Sequence, residues 1–263
     1  MSLLEVIVLG LVQGLTEFIP ISSSGHLVVA QTLFGSGSDH LFLEAINIGT
    51  FLALVVYFFP KIMTIVRLLI EKREGRLVRN ILITSVPAGL VGYVAADFIS
   101  GSAFFGSIIV VMGTLLVVGI LMIILEKLPR LSEARDGEAL SAGRAFLVGI
   151  AQMLALIPGV SRSGSTIIAG RLLGLNPKEA AEYSFLASLP IMAGVTLKVF
   201  LTDGDYLAAH ATDLVIGNIV AFLSGLMAVS FLMRYLAYHD LRLFGWYRVA
   251  LAAIIGVTLL VQL

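Results

Sequence analysis

Cysteine is absent from the chain, which excludes disulfides and thiolate metal sites. Charge is scarce as well. Only 13% of residues are Asp, Glu, Lys or Arg, the formal net charge is zero, and no basic block stands alone, so nothing points to a nucleic-acid partner or a solvated tail. The opening Met1-Ser2-Leu3-Leu4-Glu5 lacks the basic region of a signal peptide, and no cleaved targeting segment is expected. Long polar stretches are also missing, the most extended being residues 71–80 and 126–144, so no separate soluble domain is expected. What is present is apolar: 59% of residues are hydrophobic and the mean hydropathy is +1.03, which makes this an integral membrane protein.

Crossing a bilayer by helix takes about 20 apolar residues. Residues 41–59, 80–98, 105–125, 182–201, 213–233 and 246–263 meet that requirement. Two further apolar segments, 3–34 and 145–173, are broken near the middle by proline, glycine and serine, so each reads as helix, loop and helix that enter and leave by one face. The predicted fold is an all-α integral membrane domain over 1–263, with six transmembrane helices and two re-entrant segments. Repeat one covers about 1–125 and repeat two about 145–263.

Lys61, Arg67, Lys72, Arg73, Arg76 and Arg79 mark one cytoplasmic loop, Lys127, Arg130, Arg135 and Arg144 a second, and Arg234 with Arg242 a third. Residues 35–40, 99–104 and 202–212 contain no lysine or arginine. Threading the spans through this pattern leaves each half with one broken segment and three crossings. An odd number inverts the second copy, so the two loops approach each other from opposite sides. The competing reading, in which both broken segments cross fully, gives eight spans and a parallel repeat.

The loops themselves are related. Gln13, Ser22, Ser24 and Gly25 in the first match Gln152, Ser161, Ser163 and Gly164 in the second at one constant offset. Polar, glycine-broken backbone at membrane depth survives only where protein or a wet cavity satisfies its peptide groups, which marks a binding site. Each serine run precedes an apolar stretch and should open a helix, whose unpaired N–H groups and positive dipole end suit an anion. Arg162 adds a planar fork of donors matched to phosphate, Ser161, Ser163, Ser165 and Thr166 add hydroxyls, and Gly25 and Gly164 allow close backbone approach. Helix capping alone would explain one such loop. Two related loops with an arginine at membrane depth favour a ligand, because buried charge needs a partner.

Glu17 and His26 supply what an anion trap does not need, namely groups that exchange protons near neutral pH. Gln13 and Glu17 stand one helical turn apart on a shared face. Glu17 could orient His26, coordinate a divalent cation, or act as base toward a serine or water, and the sequence does not choose among these. Arg171, Lys198 and Arg248 can each snorkel to a membrane face. Of the three, Arg248 is assigned a supporting role in substrate binding.

The pattern of Gln13-x-x-x-Glu17, Ser22 to His26 and Pro158-Gly159-x-Ser161-Arg162-Ser163-x-x-Thr166 resembles undecaprenyl-pyrophosphate phosphatase, the bacitracin-resistance type of membrane lipid phosphatase. The resemblance covers essentially the whole chain, including Glu182 to Pro190 and Phe244-Gly245-Trp246-Tyr247-Arg248. It implies an enzyme of the bacterial inner membrane that hydrolyses C55 isoprenyl pyrophosphate to the monophosphate and inorganic phosphate, recycling the carrier lipid for cell-wall synthesis. It also implies a divalent cation such as Mg2+ or Ca2+, an inverted repeat, a site open to the outer side, and Glu17, Ser23, His26 and Arg162 as catalytic residues. A homodimer is a possible assembly. Two departures from the pattern are Gln13, where an acidic residue would be a further metal ligand, and Leu43, where an acidic residue is usual and Glu44 follows instead. An inverted-repeat transporter or lipid-phosphate flippase is the rival reading. The phosphatidate-phosphatase type, echoed by Ser24-Gly25-His26, wants a histidine soon after Ser161-Arg162, and none occurs before His210.

Overall fold

A computed structural model describes residues 1–34, 39–72, 74–95, 98–99, 102, 104–105, 107–128 and 134–261. Arg73, Arg130, residues 35–38 and parts of 99–104, on which the charge reading partly rests, lie outside the described residues. So do residues 96–97 and 262–263, within two of the expected spans. Among the described residues every regular element is helical. The helices are α1 Leu3–Phe18, α2 Ser23–Phe34, α3 His40–Ala45, α4 Asn47–Arg67, α5 Arg76–Val94, α6 Ile108–Leu125, α7 Ala142–Met153, α8 Arg162–Leu172, α9 Pro177–Thr202, α10 Gly204–Ala209, α11 Ala211–Tyr235 and α12 Arg242–Val261.

Their starts follow from capping chemistry. Ser2 accepts from Glu5 N, Ser141 from Arg144 N, and Asn176 from Glu179 N ahead of Pro177, whose missing N–H costs nothing at the first helical position. Among the described residues six helices are long and apolar enough to cross a membrane: His40–Glu71, Arg76–Val94, Ile108–Leu125, Pro177–Thr202, Ala211–Tyr235 and Arg242–Val261. These overlap the six predicted spans, although the first runs on past residue 59 to Glu71. The broken segments instead supply short helices, α1 with 16 residues, α2 with 12, α7 with 12 and α8 with 11.

Small residues let these short helices pack closely. A methyl group on Gly14 of α1 would stand 2.5 Å from Ala221 O of α11, and one on Gly149 of α7 would stand 2.8 Å from Thr84 O of α5. Without water to expel in lipid, such close backbone contact is a main source of helix association. Large apolar side chains such as Leu201, Val257 and Leu260 stand exposed on the outside of the bundle, where lipid would cover them.

The two ends of the bundle differ. At one end the Met1 ammonium pairs with Asp213, Lys198 with Glu44, and the Tyr206 hydroxyl donates to Asp39. At the other, Lys61 pairs with Glu182, Asn80 donates to the Gly137 and Leu140 carbonyls, and a buried Arg171–Glu126 pair joins the end of α8 to the end of α6. Met1 therefore lies at the first end, near Asp213, whereas Leu140 and Arg171 lie at the second. Glu44, whose role the sequence left open, is occupied with Lys198 away from the loops.

Candidate active site

Between α1 and α2, and again between α7 and α8, the chain makes the same unusual turn. Ser22 and Ser161 are the only non-glycine residues with positive φ among the described residues, at 77° and 74°. That left-handed conformation costs an L-residue about 1–2 kcal/mol. It persists because each hydroxyl then caps the helix that follows. Ser22 Oγ accepts from Gly25 N at 3.3 Å and Ser161 Oγ from Gly164 N at 3.1 Å. The next-but-one serines complete the match, with Ser22 and Ser24 hydroxyls 3.2 Å apart and those of Ser161 and Ser163 3.1 Å apart. Each loop opens a helix, as its sequence requires.

The loops meet inside the bundle. Ser24 Oγ accepts from Gly159 N, and Ser163 Oγ donates to the Glu17 carbonyl. Arg162, the first residue of α8, places Nη2 2.7 Å from Glu17 Oε1. The other carboxylate oxygen, Oε2, accepts from Ser23 Oγ at 2.6 Å and from Gln13 Nε2 at 3.1 Å. Glu17, Ser23, His26 and Arg162 are all half-buried and Ser24 is exposed, so the cluster is partly accessible.

Other residues assigned to substrate lie behind this front. The hydroxyls of Ser165 and Thr166 both donate to the Arg162 carbonyl, and Thr166 shares a 2.5 Å bond with Ser184. Ser163, Gly164, Ser165 and Thr166 are buried, and the Ser165 and Thr166 hydroxyls support α8 itself. Arg248 is wholly buried. Its Nε donates to Pro20 O at 2.8 Å, Nη1 to Gly159 O at 3.1 Å and Nη2 to Val160 O at 2.8 Å. One guanidinium thus clamps both loops through their backbones, a different task from the substrate contact assigned to it.

The geometry also reassigns the partner of His26. Its Nδ1 lies 2.7 Å from Ser22 O and its Nε2 2.7 Å from the Tyr247 hydroxyl, while Glu17 is engaged by Ser23, Gln13 and Arg162. Sequence reasoning missed Tyr247 and Asn47. Asn47 Oδ1 accepts from Gln13 Nε2 at 2.6 Å and so fixes the amide that braces Glu17. A polar residue one turn beyond Leu43, on the face where acidity was sought, was the available signal.

Among the described residues no group of three His, Cys, Asp or Glu side chains could hold a metal ion. Glu17 is the only carboxylate in the cluster, both its oxygens carry protein donors, and a guanidinium stands against one of them. The protein donors alone therefore do not fit a closed cation site.

Sequence comparison decides the family. The family model for "Bacitracin resistance protein BacA" matches residues 6–254. The chain belongs to the BacA family. Among its relatives, "Undecaprenyl-diphosphatase" of Nitrosomonas europaea is 37% identical over 261 residues, covering 97% of this chain and 94% of the relative. The protein of the same name from Rubrobacter xylanophilus is 39% identical, with 99% of each chain covered. That from Myxococcus xanthus is 40% identical, covering all of this chain and 90% of its own. In this BacA member the paired loops that define the cluster fall wholly inside the matched region.

Proposed function

We propose that this chain hydrolyses undecaprenyl pyrophosphate to the monophosphate and inorganic phosphate, recycling the carrier lipid for cell-wall synthesis. The observation that carries the reading is the junction of the two loops at Glu17, where Arg162 holds one carboxylate oxygen and Ser23 donates to the other. A hydroxyl bonded to a carboxylate beside a guanidinium is the arrangement that phosphoryl transfer calls for, with a nucleophile, a base and a charge to receive phosphate oxygens. Ser23 Oγ passes its proton to Glu17 and attacks the terminal phosphorus. The bridging oxygen departs with the lipid monophosphate, and water then releases phosphate from the serine. Arg162 and the N-terminal N–H groups of α2 and α8 offset the charge that develops.

A Mg2+ or Ca2+ ion, if required, would arrive on the diphosphate, since Mg2+ is commonly held by one or two carboxylates together with substrate phosphates. No step above depends on it. Purified protein in detergent, given C55 and C15 pyrophosphates with and without chelator, tests the activity directly, because no gradient exists there to drive a transporter. Absence of phosphate release under every condition would refute the assignment. Ser23→Ala should lower kcat by roughly 10²-fold or more, with KM little changed. A variant within twofold of the parent would transfer the nucleophilic role to water.

The same reading places the chain in the bacterial inner membrane as an inverted repeat of two re-entrant segments and six crossings, with the site open toward the outer side. It is supported by the short helices of the broken segments, by their entry from opposite ends of the bundle, and by reciprocal packing of α1 on α11 and α7 on α5. A homodimer is compatible with it. Because the chain has no cysteine, single introduced thiols report topology cleanly. Leu3→Cys and Phe34→Cys are expected to label from the outer face and Gly143→Cys from the cytoplasmic face. Labelling of residues 3 and 34 from opposite faces would instead show that this segment crosses fully.

A further inference from the structure

Tyr247 has no part in the reaction as derived above, yet it closes one end of the active-site histidine. It lies in the second turn of α12, directly before the clamp residue Arg248. Its hydroxyl is 2.7 Å from His26 Nε2, and the two rings lie nearly parallel at 11°. The opposite nitrogen, Nδ1, is 2.7 Å from Ser22 O. A carbonyl can only accept, so Nδ1 carries the proton, and Nε2 of the neutral ring presents a lone pair to which the phenol donates. The ring is thereby fixed at both ends, to the strained serine of the first loop and to α12.

Tyr247 itself remains 44% exposed, so the phenol stands at an accessible edge where substrate or water can compete for it. Glu17, close in sequence, is already bonded to Ser23, Gln13 and Arg162 and leaves the histidine to another partner. The site therefore divides into two arms. One consists of Glu17, Ser23 and Arg162, and the other of His26 and Tyr247.

We propose that Tyr247 is the positioning residue for His26, whose Nε2 takes a proton from the water that releases phosphate from Ser23, the phenol holding the imidazole in its Nδ1–H tautomer with Nε2 covered until that water takes its place. The role rests on the phosphatase reading, and removal of the hydroxyl alone tests it. In Tyr247→Phe the ring keeps its packing but Nε2 loses its donor. The neutral hydrogen bond lost from the resting arrangement no longer holds the ring ready at the site, which corresponds to roughly a tenfold fall in kcat, with KM within about twofold of the parent.

A second readout does not depend on turnover. Diethyl pyrocarbonate modifies imidazole nitrogen, and mass spectrometry resolves the His26 peptide from those of His40, His210 and His239. The variant should be modified several-fold faster at His26, with His40 and His239 unchanged as controls for an intact fold. Equal modification rates at His26 in the two proteins would overturn the proposal, as would unaltered kcat. If His26 becomes more reactive but neither protein releases phosphate, the covering contact is real and the phosphatase reading fails, taking the positioning role with it.

Discussion

Replacing Arg162 by alanine will reduce phosphate release from the C55 diphosphate by roughly 10³-fold or more while leaving the fold intact. Arg162 sits at the first position of α8, where the helix dipole already favours an anion, and its Nη2 is spent on Glu17 Oε1. The remaining donors of its fork are available to phosphate oxygens, which gain charge as the bridging bond breaks. Alanine removes that stabilisation and also leaves Glu17 without its countercharge beside an incoming diphosphate, so repulsion adds to the lost attraction. The pair is partly accessible, with side chains 18% and 12% exposed, and water can replace the missing donor in the resting protein. Melting should therefore change far less than rate. Lysine keeps the charge without the planar fork and should recover only part of the activity. Phosphate release by the alanine variant within tenfold of the parent would remove Arg162 from the mechanism.

Arg248→Met is expected to impair both stability and activity. Two effects oppose each other. Burying a guanidinium with no carboxylate partner is costly, and methionine avoids that cost. Against this, the Pro20, Gly159 and Val160 carbonyls lose their donors together, and hydrogen bonds to a charged group contribute roughly 1.5–3 kcal/mol each. Three such losses at one buried point outweigh the relief, since methionine offers no donor and the site is closed to water. The melting temperature should fall by about 10 °C. Activity should fall further than the folded fraction, because the loops lose the register that brings Ser23 and Arg162 to one carboxylate. Melting within about 2 °C of the parent, with rate preserved, would show that the clamp is dispensable.

The legibility of these features in the sequence followed the strength of their physical constraint. Hydrocarbon thickness dictates span length, so all six long apolar helices could be located, although the first runs on well past residue 59 to Glu71. The loops were conspicuous because serine, glycine and proline are costly at membrane depth unless something satisfies them, and their constant offset disclosed the repeat. Residue partnerships were harder. Glu17 and His26 are near neighbours in sequence, but the turn at Ser22 sends the histidine toward Tyr247, 221 positions away. An arginine in an apolar segment signals that a partner exists without saying whether it is a ligand or a carbonyl, so Arg248 could be singled out while its task could not. Glu44 follows Leu43 by one position, which on a helix points it about 100° away. It reaches Lys198, while Asn47 holds the face toward Gln13.

The position of Arg248 along the chain carries a further consequence for biogenesis. The ribosome finishes both serine turns long before α12 emerges, and every carbonyl that Arg248 engages belongs to residues made earlier. Until that helix is made, the loops are joined only by the contacts they make with each other, such as Arg162 to Glu17 and Gly159 N to Ser24. A chain halted at Asp240 would already contain Glu17, Ser23 and Arg162 and lack the one side chain that ties both loops to α12.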